Sequence, residues 1–237
     1  MRIIPAIDLI DGRCVRLTQG DYAQKKIYNE NPVEVAKEFE DAGIKYLHLV
    51  DLDGAKAGKV INWKVVESIT SQTGLAVDFG GGIKTDSELT KLFDLGVKQV
   101  NLGSIAVKEP TKVTAWIKQY GKEKIILSAD VKEELVAISG WLENSKLSIT
   151  DFLNDYQANG IEYVTCTDIS TDGMLSGPNI TLYKKLLSLF PSLKLIASGG
   201  VSSMDDLREL KSIHVDGVII GKAIYEGRVS LKELSTL

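Results

Sequence analysis

The sequence predicts an α/β protein in which eight parallel strands, each followed by a helix, close into a barrel made of two similar halves. Three observations predict it. Short apolar runs alternate with amphipathic helical patterns along the chain, which is the rhythm of a parallel sheet. A glycine turn, Gly80-Gly81-Gly82-Ile83-Lys84-Thr85, returns as Ser198-Gly199-Gly200-Val201-Ser202-Ser203. Downstream of each copy the register holds without a gap, so that Leu89 and Leu207, Leu92 and Leu210, Val97 and Val215, Val100 and Val218, and Gly103 and Gly221 all stand 118 positions apart.

Two further blocks repeat in the same order. Ala42-Gly43-Ile44-Lys45-Tyr46 matches Asn159-Gly160-Ile161-Glu162-Tyr163, with Asp51 answering Asp168, and Ile4-Pro5-Ala6-Ile7-Asp8 has Ile126-Leu127-Ser128-Ala129-Asp130 as its counterpart. A duplicated half favours a closed barrel over a doubly wound open sheet. In an open sheet the strand order reverses at a switch point and its halves need not be interchangeable, whereas a barrel has the near-rotational symmetry that a repeated four-unit half completes. Eight such units in one domain of roughly 250 residues is the scale of a TIM (β/α)8 barrel. With 237 residues, 44% of them hydrophobic and 25% charged, residues 1–237 can bury the core of one such domain.

The apolar runs fall at 3–8, 45–51, 75–79, 98–102, 124–130, 161–167, 193–198 and 216–220. Helical patterns occupy 32–42, 61–72, 86–95, 111–120, 148–159, 180–189 and 204–212, with a short one near 230–235. Asn31-Pro32, Pro110, Thr150-Asp151, Asn179 and Ser203 stand where N-caps or first helical turns are wanted, and Gly43, Gly96, Gly121 and Gly160 where helices stop. Pro5 cannot donate to a ladder, so it is expected near the start of the first strand. Three connections exceed ordinary βα loops: 11–31, 131–147 and 168–179. The second reads as a small hairpin, Leu135-Val136-Ala137-Ile138 turning near Gly140-Trp141. All three follow strands, so they crowd the C-terminal rim where barrel enzymes keep their chemistry, and they are expected to cover the site.

A formal net charge of −4 gives no reason to expect nucleic acid as a partner. An anionic ligand must then be held by backbone donors or a few placed cations, not by a global basic field. Cys14 and Cys166 are far apart and show neither a metal-binding nor a disulfide spacing. Met1-Arg2-Ile3-Ile4-Pro5 runs directly into a strand with no leader pattern, and no apolar run is long enough to span a bilayer. A cytoplasmic monomer with no membrane partner is expected.

Asp8 and Asp130 end the first and fifth strands, which face each other across an eight-stranded barrel. One carboxyl group that takes a proton and another that gives one suit acid/base chemistry; the plainer role for a strand-end Asp is to cap a loop or pair with a base. Each glycine turn lets backbone N–H groups close on an oxyanion, while the following helix adds its unpaired donors and the positive end of its dipole. Gly81 and Gly82 follow the third strand, and Asn101, Gly103 and Ser104 follow the fourth. In the second half Gly199 and Gly200 follow the seventh strand, and Gly221 and Lys222 the eighth. Neighbouring turns can share one phosphate, so two anion pockets are expected on opposite sides of the mouth. The ligand is then a bisphosphate with its reacting centre over the two aspartates. Thr167 can hydrogen-bond a reacting sugar or simply pack a barrel layer, His48 can touch ligand or stay a satisfied core group, and Trp141 can stack on a flat base or anchor its loop. His214 belongs to the opposite end. No lysine ends the sixth strand, which argues against a Schiff-base aldolase.

With these residues laid out, the chain resembles the histidine-biosynthesis isomerases (HisA type), which convert phosphoribosylformimino-aminoimidazole-carboxamide ribotide to its ribulosyl isomer. The resemblance covers nearly the whole chain. It is carried by Ile4-Pro5-Ala6-Ile7-Asp8-Leu9, Val15-Arg16-Leu17-Thr18-Gln19-Gly20-Asp21-Tyr22, His48-Leu49-Val50-Asp51-Leu52-Asp53-Gly54-Ala55, Gly80-Gly81-Gly82-Ile83, Gly140-Trp141, Thr167-Asp168-Ile169-Ser170-Thr171-Asp172-Gly173 and Ser198-Gly199-Gly200-Val201. It implies an Amadori rearrangement of a substrate with two phosphates, without metal or organic cofactor. Asp8 matches the family's proton acceptor, Asp130 its proton donor, Thr167 a substrate-orienting threonine and Trp141 an aromatic set against the aminoimidazole. Arg16, Gln19 and Gly20 in the first long connection, and Asp172 and Gly173 in the sixth, stand in matching motifs and are expected against substrate. Lys84 departs from the arginine common after this glycine turn, keeping the cation but losing bidentate geometry. Within the same fold the related imidazole-glycerol-phosphate synthase cyclase is the nearest competitor; it offers a lysine where this chain has Leu17-Thr18-Gln19-Gly20. The residues also leave room for an isomerase that accepts phosphoribosylanthranilate as well, and for a catalytically silent sugar-phosphate-binding barrel.

Overall fold

A computed structural model describes residues 1–18, 21–138, 141 and 143–237. Its strands are β1 (Arg2–Ile10), β2 (Arg13–Thr18), β3 (Asp21–Asn29), β4 (Tyr46–Asp51), β5 (Ala76–Gly80), β6 (Gln99–Leu102), β7 (Ile125–Lys132), β8 (Leu135–Ile138), β9 (Glu143–Ser148), β10 (Tyr163–Asp168), β11 (Lys194–Ser198) and β12 (Gly217–Ile220). Its helices are α1 (Pro32–Asp41), α2 (Leu52–Ala57), α3 (Trp63–Gln72), α4 (Asp86–Asp94), α5 (Ser104–Lys108), α6 (Pro110–Tyr120), α7 (Ile149–Ala158), α8 (Ile180–Leu189), α9 (Met204–Ser212), α10 (Lys222–Tyr225) and α11 (Leu231–Leu234).

Eight strands pair in parallel in the order β1-β4-β5-β6-β7-β10-β11-β12, and β12 returns to β1, so the sheet closes on itself as the predicted (β/α)8 barrel. The predicted runs coincide with these strands to within two residues at each end. Pro5 is the fourth residue of β1; it pairs with Ile220 of β12, and the ladder to β4 begins one residue later at Ala6 and His48, so its missing N–H falls ahead of that ladder. The long connection after the first strand, for which the sequence named no element, holds the antiparallel pair β2 and β3, with β2 folded back on β1 through Asp8 and Val15. The connection after β7 is the expected hairpin, β8 with β9, although Gly140 in its turn lies outside the described residues.

Side chains along a strand alternate between the two faces of the sheet. On β1 this sends Ile4 and Ala6 into the barrel, where they pack with Ile126, Tyr163, Ile196 and Ile219, while Ile7 and Leu9 join the larger core beneath the helices. Asp8 shares the inward parity of Ile4 and Ala6. Asp130 on β7 and Thr167 on β10 follow in the same way from Ile126 and Tyr163. The repeat noted in the sequence is the outer core: Leu89, Leu92, Leu207, Leu210, Val100 and Val218 are all fully buried, each burial being worth about 1.5–3 kcal/mol. Below, Arg2 closes the barrel floor between the Tyr46 and Tyr163 rings, paired with Asp216 at 3.0 Å.

The glycine turns sit where they do because nothing larger fits. Gly81 and Gly82 have φ of +104° and +82°, and Gly199 and Gly200 have +94° and +84°. A Cβ on Gly82 would stand 2.6 Å from the Lys59 carbonyl, and one on Gly200 would overlap the Gly177 carbonyl, the same place in the other half. After each turn a capping box starts the helix: Thr85 with Glu88 at α4, Ser203 with Asp206 at α9. Gly160 also has positive φ (+86°) but open space around its Cβ position. Gly160→Ala is therefore expected to cost only the left-handed backbone penalty, about 1 kcal/mol, and Gly200→Ala more than about 2 kcal/mol. Urea unfolding of the two variants measures the difference, and equal losses would remove the packing account of the turn.

Candidate active site

One cavity of about 790 Å³ opens at the C-terminal ends of the barrel strands. Its wall holds Asp8, Asp130 and Thr167 together with Gly81, Gly82, Asn101, Gly103, Ser104, Trp141, Asp172, Gly173, Gly199, Gly200, Gly221 and Lys222. Arg16, His48 and Lys84 line it as well. Gln19 and Gly20 lie outside the described residues. The structure thus brings residues from the two halves of the repeat to a common space.

Two buried pins hold the loops behind the rims. Asp51, at the end of β4, accepts the backbone N–H groups of Gly54, Ile61 and Asn62 at 2.7–2.9 Å and the Asn62 side chain at 2.6 Å. At the matching end of β10, Asp168 accepts the Ser170 N–H at 2.9 Å and the Asn179 side chain at 2.5 Å. A carboxylate that accepts several donors is satisfied without a counter-ion. The Asp51 and Asp168 match is visible in the sequence; its meaning lies in Asn62 and Asn179, which repeat at the same spacing.

Asp8 pairs with Arg16 of β2, Nη1 to Oδ2 at 2.7 Å, and Arg16 Nη2 also donates to the Ala6 carbonyl at 2.9 Å. Arg16 is thus committed to the first aspartate. Gly221 makes its room, because a Cβ there would overlap the guanidinium. Asp130 is surrounded differently. Burial pushes its carboxyl group above the ordinary range, against hydrogen bonds from Trp141, Thr167 and Ser128 that favour the charged form. Trp141 Nε1 donates to Asp130 Oδ2 at 2.9 Å, from a residue held at φ +70°. Here Trp141 engages the carboxyl group directly, a contact its expected role against a flat base did not include.

Asp172 is a further carboxyl group of the cavity. Burial raises it to about 6, Arg16 and Lys222 pulling the other way and Asp8 and Asp130 adding to the rise. Lys222 ties the same connection down through the Gly173 carbonyl at 2.8 Å. On the opposite rim the ammonium of Lys84 lies over Gly58, where a Cβ would meet it at 2.6 Å. His48 meets Asp78 of β5, Nδ1 to Oδ1 at 2.5 Å, and Asn101 Nδ2 donates to the same oxygen at 2.9 Å. Sequence reasoning misses Asp78, although a carboxylate inside an apolar run at the inward parity is a signal that it needs a partner. It also misses Tyr22, which reaches from β3 to the Leu52 carbonyl at 2.9 Å and lines the cavity. Among the described residues no group of three His, Cys, Asp or Glu is placed to hold a metal ion, and no helix is long and apolar enough to cross a membrane.

A rim of glycine turns and cations on each side of a cavity that holds Asp8, Asp130 and Asp172 suits a phosphate ester whose protons are to be moved. The family described as histidine biosynthesis protein matches residues 2–230. A Flavobacterium johnsoniae protein is 58% identical over 234 residues, covering 99% of this chain and 98% of its own. One from Flavobacterium psychrophilum is 59% identical over 234 residues, covering 99% and 97%, and one from Phocaeicola vulgatus 55% over 235, covering 99% and 98%. Each is named as a 1-(5-phosphoribosyl)-5-((5-phosphoribosylamino)methylideneamino) imidazole-4-carboxamide isomerase. With a match of this length and relatives similar from end to end, the chain belongs to the histidine biosynthesis protein family.

Proposed function

We propose that this chain is an aldose-ketose isomerase that performs the Amadori rearrangement named in its relatives, with Asp130 as proton donor and Asp8 as proton acceptor. The observation that carries the reading is the different surroundings of two inward carboxyl groups in one cavity. Asp130, raised by burial, is suited to carry a proton, and Asp8 stands against the guanidinium of Arg16. In the reaction Asp130 protonates the furanose ring oxygen, the ring C–O bond breaks, and the amine nitrogen's lone pair completes a protonated imine. Asp8 then takes the proton from the adjacent carbon, and the electron pair left behind neutralises the imine as an enamine, which becomes the aminoketose. Electrons stay within the substrate, so the step is balanced without an external oxidant.

The glycine turns at Gly81, Gly82, Gly103 and Ser104 would hold one phosphate, and those at Gly199, Gly200, Gly221 and Lys222 the other. Thr167, in register with Asp130 on the neighbouring strand, would orient the sugar between them, and Trp141 would exchange its bond to Asp130 for the substrate's ring. Asp172, raised to about 6, is a second candidate for the donor. A monomer is taken as the working unit, to be checked by light scattering.

Purified protein is expected to convert the aminoaldose ribotide in a coupled assay. Asp8→Asn and Asp130→Asn should each lower turnover by roughly 10²–10⁴-fold while product affinity stays measurable. An Asp130→Asn variant of near-normal rate, beside an inactive Asp172→Asn, would move the donor role to Asp172.

The free-enzyme pH profile of kcat/KM gives an independent check. The acid must keep its proton, so activity falls on the alkaline side as Asp130 ionises. The Trp141 N–H favours the ionised form; without it the group holds its proton to higher pH. Trp141→Phe is therefore expected to move the alkaline limb upward, and an unmoved or lowered limb would dissociate that limb from Asp130.

A further inference from the structure

The repeat that builds the two rims is broken beneath them. On the inward face of the wall His48, Asp78 and Asn101 occupy the positions that Thr165, Ile196 and Ile219 hold in the second half. A linked polar cluster therefore lies under one rim and a largely apolar surface under the other. The cluster is closed around one carboxylate oxygen, with His48 Nδ1 at 2.5 Å and Asn101 Nδ2 at 2.9 Å from Asp78 Oδ1. Asp78 and Asn101 are each only 6% exposed.

Two atoms of the cluster remain for a ligand. His48 and Asn101 line the cavity; with Nδ1 committed to Asp78, the other ring nitrogen, Nε2, is the one left to meet a ligand. Asn101 Oδ1 is buried with no hydrogen-bond partner among the described residues. A bare buried acceptor is unfavourable, and a donor on the ligand would offset that. The Asp78 carboxylate is satisfied by the imidazole and the Asn101 amide together. Burial pushes His48 down, but the charge and hydrogen bond of Asp78, helped by Asp8, outweigh that and the opposing push of Arg16, so the ring is held above its ordinary value. Asp130 on the facing wall feels the resulting charge. When protonated, His48 is a donor at both nitrogens.

We propose that Asp78 is a positioning residue: by fixing His48 and Asn101 under the first-half rim, it sets which way round a two-ended phosphate ester lies in the cavity. The glycine turns of the rims repeat each other, so they leave that choice to side chains that differ between the halves. Only one of the two phosphoribosyl ends is then presented for ring opening. The proposal rests on the isomerase reading above, since a ligand with one phosphate would not need to be oriented.

The chain contains two histidines, His48 and His214, so ¹⁵N spectra of the ¹⁵N-labelled protein, with His214→Asn to assign them, read the state of His48 directly. His48 is expected to titrate above an ordinary imidazole; a titration at or below the ordinary value overturns the proposal without any variant of the cluster. Asp78→Asn should move that titration down and lower kcat for the aminoaldose ribotide at least about 10-fold. The Kd of the aminoketose product should change less than about 3-fold, because both phosphate grips remain. Adding Asp78→Asn to His48→Gln should cost little further, because Asp78 acts through His48. Unchanged kcat in Asp78→Asn, or fully additive losses in the double variant, would overturn the assignment. If the unaltered chain does not turn over the ribotide, the isomerase reading falls and this one with it; turnover together with an indifferent Asp78→Asn removes this one alone.

Discussion

The close approach of each Gly-Gly bend to the preceding βα connection is the constraint on which the site depends. Gly81 lies on the backbone of Asp51 and Gly82 on that of Lys59; Gly199 lies on Asp168 and Gly200 on Gly177. At this distance no side chain can intervene, so the bend, the strand end and the loop behind it move as one body. The pins Asp51 with Asn62 and Asp168 with Asn179 fix the far side of the same contact. The helix that follows starts at a set place because its capping box begins three residues after the second glycine. Rim geometry is therefore inherited from packing beneath the surface, and a phosphate would find its donors already aimed.

On this twofold scaffold the chemistry is not twofold. Asp8 meets a guanidinium, whereas its counterpart Asp130 meets an indole, a threonine and a serine. Burial raises Asp130 while Asp8 is paired with a cation, surroundings that suit the donor and acceptor roles proposed for them. Asymmetry enters through the two hairpins, β2 with β3 and β8 with β9, and through the barrel interior, where polar and apolar residues replace one another at matched positions. The shell that carries the rims stays repeated; the layers that meet the reacting atoms have diverged.

Much of this is legible in the residues. Strand periodicity and the 118-residue register point to the barrel, since Leu89, Leu207 and their neighbours bury the same surface in both halves. What escapes are elements too short for a helical period, α2, α5 and α10 at four to six residues. The β2 and β3 pair escapes because Asp21–Asn29 is mostly polar and takes its extended form from pairing, not from an apolar pattern. His48 stands out in the sequence, but its partner Asp78 is 30 positions away on the next barrel strand, and only the closed sheet brings carboxylate and imidazole side by side. Arg16 is expected against substrate, and no local signal tells that a hairpin turns it back onto Asp8.

The location of Arg16 has one more consequence. The guanidinium is carried not by the barrel wall but by β2, an antiparallel extension that stands outside the ring of eight. Trp141 likewise rides on the connection between β8 and β9. Swinging either arm outward would strip a carboxyl group of its neighbour as well as admitting water, so shutter and electrostatic tuning are a single mechanical part.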